Sequence, residues 1–518
     1  MGCRALTIYD YFRVEYAPAC PTAQIDRSGR RTEIAYDSFG RQSLVRDPKG
    51  SSTAFTYNPA GDLTGLTDAN SNVTGWAYDN EGRAIRKTYA DNSNYEYSYD
   101  ANGQIVSRKD AKEQSASYSY SNIGQLTEVN YPNNPDLSFT YDGFGRRTGM
   151  SDASGSTTWT YSNAGLLLSE STSGGSALAA TVSYSYDSAG RKSSMSVVGQ
   201  TVSYEYDSAS RVSSIRSTVN GELKTFTYSY LGASNKILSI SIDGTVIVSN
   251  TYDALGRLTK KENKNPDGAP VSSFEYTLNN SDEREDVRLL DSKSIDYSYD
   301  LAGQVIGAQK KYADDTQDFS YNYSYNYDPA GNSTSRISQG QSRNYTFNNL
   351  NQFLTATSPT ATDITGSVSP TVVNPKVSIN DREADVDANG NWVAHDVPLS
   401  SGENTFTAKA VDMFDRIETK AVNITLAPPP VFTYDANGNL LSDGKCLNTW
   451  NDENQLSSVT PVNPISGSKK YEYVYDGFGR RRVIRTFVHD GTAFALVKTE
   501  KFVYHGWNPI AVLDANDQ

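Results

Sequence analysis

The residues whose spacing carries the most chemistry are DVDANGNWVAHD, Asp385 to Asp396. Oxygen ligands at Asp385, Asp387 and Asn389, a glycine at the sixth place (Gly390) and a carboxylate at the twelfth (Asp396) follow the opening of a calcium loop of EF-hand type. The twelfth residue is Asp where such a loop takes a bidentate Glu, and no helical pattern flanks it. DANGN recurs at Asp435–Asn439, so the same letters also read as a tight hairpin turn. Other chemistry has less to work with. The three histidines, His395, His489 and His505, stand in no metal-ligand or H-E-x-x-H spacing, and no G-x-S-x-G elbow or G-x-x-x-x-G-K-[ST] loop is present. Acidic residues number 60, and nothing singles out a pair for glycoside hydrolysis. A net charge of −13 opposes phosphate binding, which needs an excess of Lys and Arg. The expectation is a protein that is not an enzyme, holds no cofactor and binds no nucleic acid.

Composition points to mechanics. Tyr outnumbers Phe and Trp, 36 against 17 and 5, and 38 Gly accompany it. Large rings with a polar tip suit pleated, half-buried strands. Cys3, Cys20 and Cys446 are too few and too scattered for a disulfide framework or a zinc site. No run is long and apolar enough for a membrane span, and MGCRALTIYDYF lacks the apolar core of a signal peptide.

The elements that must position these residues come from a repeat. Y-D-x-x-G recurs ten times, pairing Tyr36 with Gly40, Tyr78 with Gly82, Tyr99 with Gly103, Tyr141 with Gly145 and Tyr186 with Gly190. The series continues with Tyr252 and Gly256, Tyr299 and Gly303, Tyr327 and Gly331, Tyr434 and Gly438, and Tyr475 and Gly479. Looser copies lie between, among them YNPAG from Tyr57 and FNNLNQ from Phe347, and the spacing is 21 for five successive steps from Tyr36 to Tyr141. One heptapeptide, YDGFGRR, is written twice, at Tyr141–Arg147 and Tyr475–Arg481.

Within each unit, aromatics at alternate positions, such as Tyr95, Tyr97 and Tyr99, place their rings on one face of a strand. Asp starts a turn by bonding nearby backbone N–H groups, and Gly supplies a positive φ. Arg follows the Gly in six of the ten units, with a stem long enough to lie over a neighbouring Tyr ring. A second strand and a second turn rich in Asp, Asn, Gly and Lys close the unit. Nineteen or so marks imply on the order of 35 strands and ~170 Å of sheet, which must coil or enclose a volume.

Y-D-x-x-G-[RNQ] at these intervals resembles the YD repeat of the Rhs family, whose relatives include the teneurins and the C subunits of bacterial Tc toxin complexes. The resemblance covers residues 25–357 and 430–518. It implies an all-β fold, a repetitive antiparallel β-hairpin sheet spiralling into a partial hollow shell. In toxin-bearing members such a shell holds a variable C-terminal effector, which implies an effector polypeptide or secretion-apparatus proteins as partners and a secreted or cell-surface bacterial protein. YHGWNPIAVLDANDQ from Tyr504 is similar to the start of the family's repeat-associated core domain, which continues to a D-P-x-G-L motif. DPKG at Asp47 and DPAG at Asp328 match its first four letters, but Ser51 and Asn332 follow where Leu belongs. The native product is expected to extend at both ends.

The phase breaks between residues 358 and 430, where NTFTAKAV and KAVNITL alternate as short strands before Pro428, Pro429 and Pro430. This stretch resembles bacterial Ig-like modules and predicts an inserted small β-sandwich. The organisation is then an irregular lead-in (1–24), a YD-repeat β-shell (25–357), the insert (358–430) and a final run of repeats (431–518). The leading function is encapsulation of a polypeptide that this chain does not include. The alternative is surface adhesion or carbohydrate binding through exposed tyrosines and the Ig-like module, with glycans as partners.

Overall fold

The structure, a computed structural model, describes residues 13–17, 20–176, 179–219, 221–338, 341–358, 360–369, 375–387, 390–400 and 402–516. The described residues form 46 β-strands and no helix. The chain divides into two compact units, one of Met1–Thr74, Thr251–Glu262 and Pro270–Val431, the other of Gly75–Asn250, Asn263–Ala269 and Phe432–Gln518.

In the first unit two runs of hairpins are antiparallel strand by strand. One leads from Arg13–Ala17 to Leu63–Thr67 and the other from Pro270–Leu278 to Phe353–Ala356. The second unit repeats the arrangement with a run from Val73–Tyr78 to Thr245–Tyr252 and another from Thr433–Tyr434 to Asn508–Leu513. Tyr95, Tyr97 and Tyr99 lie on the strand Asn94–Tyr99, all half-buried, as period-two alternation requires.

Every full YD motif ends a strand at its Tyr, and in nine of the ten the described register slips there. Ala35 faces Leu44 while Tyr36 faces Gln42, leaving one extra residue on the outgoing strand. The cause is the turn itself. Asp37 N–H donates to the Arg41 carbonyl (2.8 Å) and Gly40 N–H to the Asp37 carbonyl (3.0 Å), with Gly40 at φ 77°. That is a tight turn followed by one left-handed residue, which inserts a bulge into the ladder. The return turns at the other strand ends use the same pattern, as in Asp47 N–H to Ser51 O and Gly50 N–H to Asp47 O. Both ends of the repeat are thus one turn written in two vocabularies.

The insert lies in the first unit. Its six strands run from Ala361–Ser367 to Ile417–Leu426, and every pairing is antiparallel. They form one connected order in which the first strand lies beside the fourth and the last is at an edge. Its own core gathers Ile379, Ala394, Val397 and Phe406, with Trp392 and Ile364 against them. Among the described residues the other clusters of buried apolar side chains lie in the second unit. There, strands such as Leu137–Tyr141 and Ala180–Tyr186 alternate buried and exposed residues strictly, while most repeats are half-buried throughout.

Candidate functional site: the turns and their docking edge

The unit of construction is the YD turn. Asp142 Oδ1 accepts the N–H groups of Phe144 (2.9 Å) and Arg146 (3.0 Å), and Oδ2 accepts Arg146 Nε at 2.7 Å. Arg146 Nη1 then donates to the Ser162 carbonyl (3.1 Å) and its guanidinium lies 4.7 Å from the Tyr161 ring of the following hairpin. Tyr161 Oη reaches back to the Arg147 carbonyl at 2.8 Å. A hairpin whose turn carries Arg is thereby tied to the next by a cation over a ring and by a phenol hydrogen bond, and neither tie depends on the sheet ladder. Arg41 with Tyr57, Arg83 with Tyr99, Arg191 with Tyr206 and Arg211 with Tyr230 repeat the stacking at 4.4–4.8 Å. The turn carboxylates of Asp37, Asp187, Asp207 and Asp253 are held below their ordinary value, first by the backbone N–H of the Arg four residues on. All ten glycines of the full motifs have φ between 72° and 89°. At Ser210, Asp282, Asn351 and Asn454 a non-glycine residue takes the same left-handed place.

Sequence reasoning missed how runs of hairpins meet. Within each unit, YD turns of the later run dock on return turns of the earlier one. In the first unit Ser281 Oγ donates to Asp26 Oδ2 (2.8 Å), Lys49 Nζ to Asp300 Oδ2 (2.7 Å) and Asn70 Nδ2 to Asp328 Oδ2 (2.8 Å). In the second unit Asn437 Nδ2 donates to Asp110 Oδ2 (2.6 Å), Asn133 Nδ2 to Asp452 Oδ1 (2.9 Å) and Gly477 N–H to Asp152 Oδ2 (2.7 Å). The partners are 251–258 residues apart in the first set and 319–327 in the second. The increase is close to the length of the insert, which lies between the members of each second-set pair. The insert is extra chain that the repeat path accommodates without changing its own period. The two segments resembling the family's self-cleavage motif, at Asp47 and Asp328, are both turns within this ladder.

The third residue after the Tyr position makes many of these contacts. Ser281 and Asn437 hydrogen-bond across, Glu453 pairs with Arg108 (2.8 Å), and Phe478 packs on Trp159 with centroids 5.8 Å apart and beneath the Arg147 guanidinium at 5.1 Å. The repeated heptapeptide isolates the effect. Asp142–Arg146 and Asp476–Arg480 have the same internal ion pair, 2.7 Å in each. The first is half-buried, its side chains 22% and 27% exposed, whereas the Asp476 and Arg480 side chains are 1% and 4% exposed. Arg480 also pairs with Glu170 (3.0 Å), and Arg482 stands 3.8 Å from Asp476. Burial works against the charge on Arg480, yet the Asp476 and Glu170 carboxylates hold it above its ordinary value. Burial pushes Arg482 below its own. Nearby, Lys192 Nζ lies 2.5 Å from His505 Nε2 and Tyr184 Oη 3.1 Å from Nδ1. Burial, then the Lys192 charge, lowers His505 below its ordinary value.

The described members of the calcium set are in strands and a turn. Asp387 Oδ1 accepts Asn391 N–H (2.8 Å), Oδ2 accepts Asn391 Nδ2 (3.0 Å), and Gly390 N–H closes on the Asp387 carbonyl (3.0 Å), the same turn as a YD unit. Asp385 is on the strand Arg382–Val386 with its side chain 87% exposed, and Asp396 is on Asn391–Pro398. Asn389 lies outside the described residues. Among the described residues no group of three or more His, Cys, Asp or Glu is placed to hold a metal ion. His395 Nδ1 instead contacts Asp363 (3.1 Å), while His489 is buried at a strand end against the Phe494 ring.

Hairpins of about 21 residues, turned by an Asp that bonds the backbone four residues on and in many units locked by an Asp–Arg pair stacked on the next Tyr, define a YD-repeat sheet protein. Residues 22–159 match the family model described as Teneurin YD-shell. Three crystal structures share the fold. TcdB2-TccC3-Cdc42 matches at 15% identity and a TM-score of 0.59 over 98% of this chain and 32% of that one. TcdB2-TccC3 matches at 16% and 0.57, over 97% and 30%, and TcdB2-TccC3 without its hypervariable C-terminal region at 16% and 0.58, over 98% and 31%. The resemblance drawn from the repeat therefore stands. The chain spans about a third of the length of these solved chains. Among curated proteins none matches its sequence. Among the described residues no helix is long and apolar enough to cross a membrane.

Proposed function

We propose that this chain is a wall segment of an Rhs-type β-shell whose work is mechanical: it encloses an effector polypeptide carried outside residues 1–518. The observation that carries the reading is the ladder of later YD turns on earlier return turns, which joins hairpin runs side by side as a wall needs, together with the likeness to the TcdB2-TccC3 fold. Half-buried, Tyr- and Ser-rich strands suit a wall with water against it. Chemistry is assigned to the cargo, and the wall itself is non-catalytic. A cell-surface or secreted location is part of the same proposal, and the likeness supports it.

The test is the reading frame past Gln518 and the behaviour of its product. The frame is expected to continue through D-P-x-G-L into a short variable domain, and limited proteolysis of the purified product should leave that domain uncut while its free form is degraded. A frame that ends at Gln518, or a domain cut equally fast inside and outside the product, would overturn the proposal. Glycan binding that survives in the product but disappears on deletion of residues 358–430 would favour adhesion instead.

A further inference from the structure

One turn of the insert is built like those of the repeat, and Val411–Ile417 follows Tyr141–Arg147 position by position. Asp412 Oδ1 accepts the N–H groups of Phe414 (2.9 Å) and Arg416 (3.0 Å), Oδ2 accepts Arg416 Nε (2.6 Å), and Asp415 takes the left-handed place at φ 57°. The two differ on the outgoing side. In the repeat, Arg41, Arg83, Arg146, Arg191 and Arg211 each lie over the Tyr of the strand that follows, and their side chains are 18–33% exposed. Arg416 is 73% exposed, and the ring it reaches is Phe414 of its own turn, 5.5 Å away. The reason is topological. The strand leaving this turn, Ile417–Leu426, is at the edge of the insert's sheet, paired with Gly402–Val411 at all ten residues and without a bulge.

We propose that Ile417–Leu426 is a docking edge for an extended strand of a partner protein, added antiparallel with an aromatic residue opposite Arg416. An unbroken edge presents backbone N–H and C=O groups that another strand satisfies. The register sets what that strand carries. Val422 is opposite Phe406 and Ile424 opposite Asn404, so both share the face of the insert's core, and they are 50% and 47% exposed. Lys420 and Glu418 continue the same row toward Arg416. Antiparallel addition therefore calls for apolar residues against Ile424 and Val422, an acid against Lys420, a base against Glu418 and a ring beneath Arg416, each two residues further along the incoming strand. The repeat shows the last contact made. Tyr161 lies beneath Arg146, its Oη donates to the Arg147 carbonyl, and Arg146 Nη1 donates to the Ser162 carbonyl. Ile417 stands where Arg147 does, since Val411 faces Ile417 as Tyr141 faces Arg147. The same strand of a second copy, laid antiparallel over its full length, brings Ala427 and then Pro428 to Arg416 and no ring, which favours a different polypeptide as the occupant.

Titrating the whole chain with a capped decapeptide of that pattern, Val-Thr-Val-Thr-Glu-Thr-Lys-Thr-Tyr-Asn, and following hydrogen exchange tests this. With the peptide at about ten times its dissociation constant, alternate amides of Ile417–Leu426 should slow by about tenfold. Alanine in place of the peptide's Tyr should weaken binding by about threefold or more, as should Arg416→Ala in the chain. Lys420→Glu should weaken it similarly, and a peptide with Lys in place of its Glu should restore it. If Arg416→Ala loosens the turn, the charge reversal and its rescue decide the matter, because they leave the turn intact. No slowing of these amides at about 1 mM peptide, binding indifferent to the Tyr and to the charge reversal, or protection of this strand that rises with the concentration of the free chain, the mark of a second copy, would overturn the proposal.

Discussion

Replacing Phe478 by Ala and, separately, Phe144 by Ala makes the same substitution in the same heptapeptide and asks the fold for two different answers. Phe478 is part-buried against Trp159, itself 8% exposed, at an edge-to-face angle of 63°. Removing the ring forfeits about 1.5–3 kcal/mol of burial and about 0.5–1.5 kcal/mol of aromatic pairing. Two guanidinium groups, of Arg147 and Arg480, also lie 5.0–5.1 Å from its centroid. The expected loss is about 3 kcal/mol, a factor of about 100 in the opening of this dock. Phe144 is 87% exposed with the Arg146 guanidinium 5.1 Å from its ring, and its loss should stay within about 0.5 kcal/mol. In a chain of this length global unfolding is unsuited to two-state treatment, so the measurement should be local. Hydrogen exchange at the Gly477 amide, which donates to Asp152, should accelerate about 100-fold in Phe478→Ala and stay unchanged in Phe144→Ala. Equal effects of the two substitutions, or no effect of Phe478→Ala, would refute the docking argument.

The neighbouring glycines extend the comparison by steric means. Gly477→Ala should cost about 1–2 kcal/mol through overpacking against Leu137 and Met150, whereas Gly143→Ala should be neutral or stabilise by about 0.4–1 kcal/mol, and the two signs can be read from hydrogen exchange at the Gly479 and Gly145 amides of the two turns. Acid should unlock the turns together. Asp37, Asp187, Asp207 and Asp253 are held below their ordinary value in the fold, so their contribution is complete above about pH 4 and is lost as pH falls through the lower folded values. Circular dichroism across an acid titration should show this loss, and Asp→Asn at these four positions should flatten it; an unchanged acid transition in that variant would contradict the assignment.

The local unit was legible in the sequence because its interactions span few residues. Asp bonds the backbone two and four positions on, Gly takes the left-handed place that other residues adopt at a cost, and the Arg stem reaches the next Tyr about 16 residues later. Spacing alone therefore gives strands, turns and their tie to the neighbouring hairpin. It also misleads where turn chemistry imitates ligand chemistry: the carboxylate of Asp387 bonds Asn391 as the other turns bond theirs, and Asp385 points to solvent. Which copies dock could not be read from the letters, since Tyr141–Arg147 and Tyr475–Arg481 have the same letters and opposite environments. Their difference arises from contacts with residues more than 300 positions away, among them Asp152, Trp159 and Glu170. A signal was present in the Phe and Ile at the third place after Tyr, apolar residues on turn tips with no local partner to explain them. The heptapeptide determines its own shape through hydrogen bonds it carries within itself. What lies against that shape is decided by the return path of the chain, which only the tertiary structure supplies.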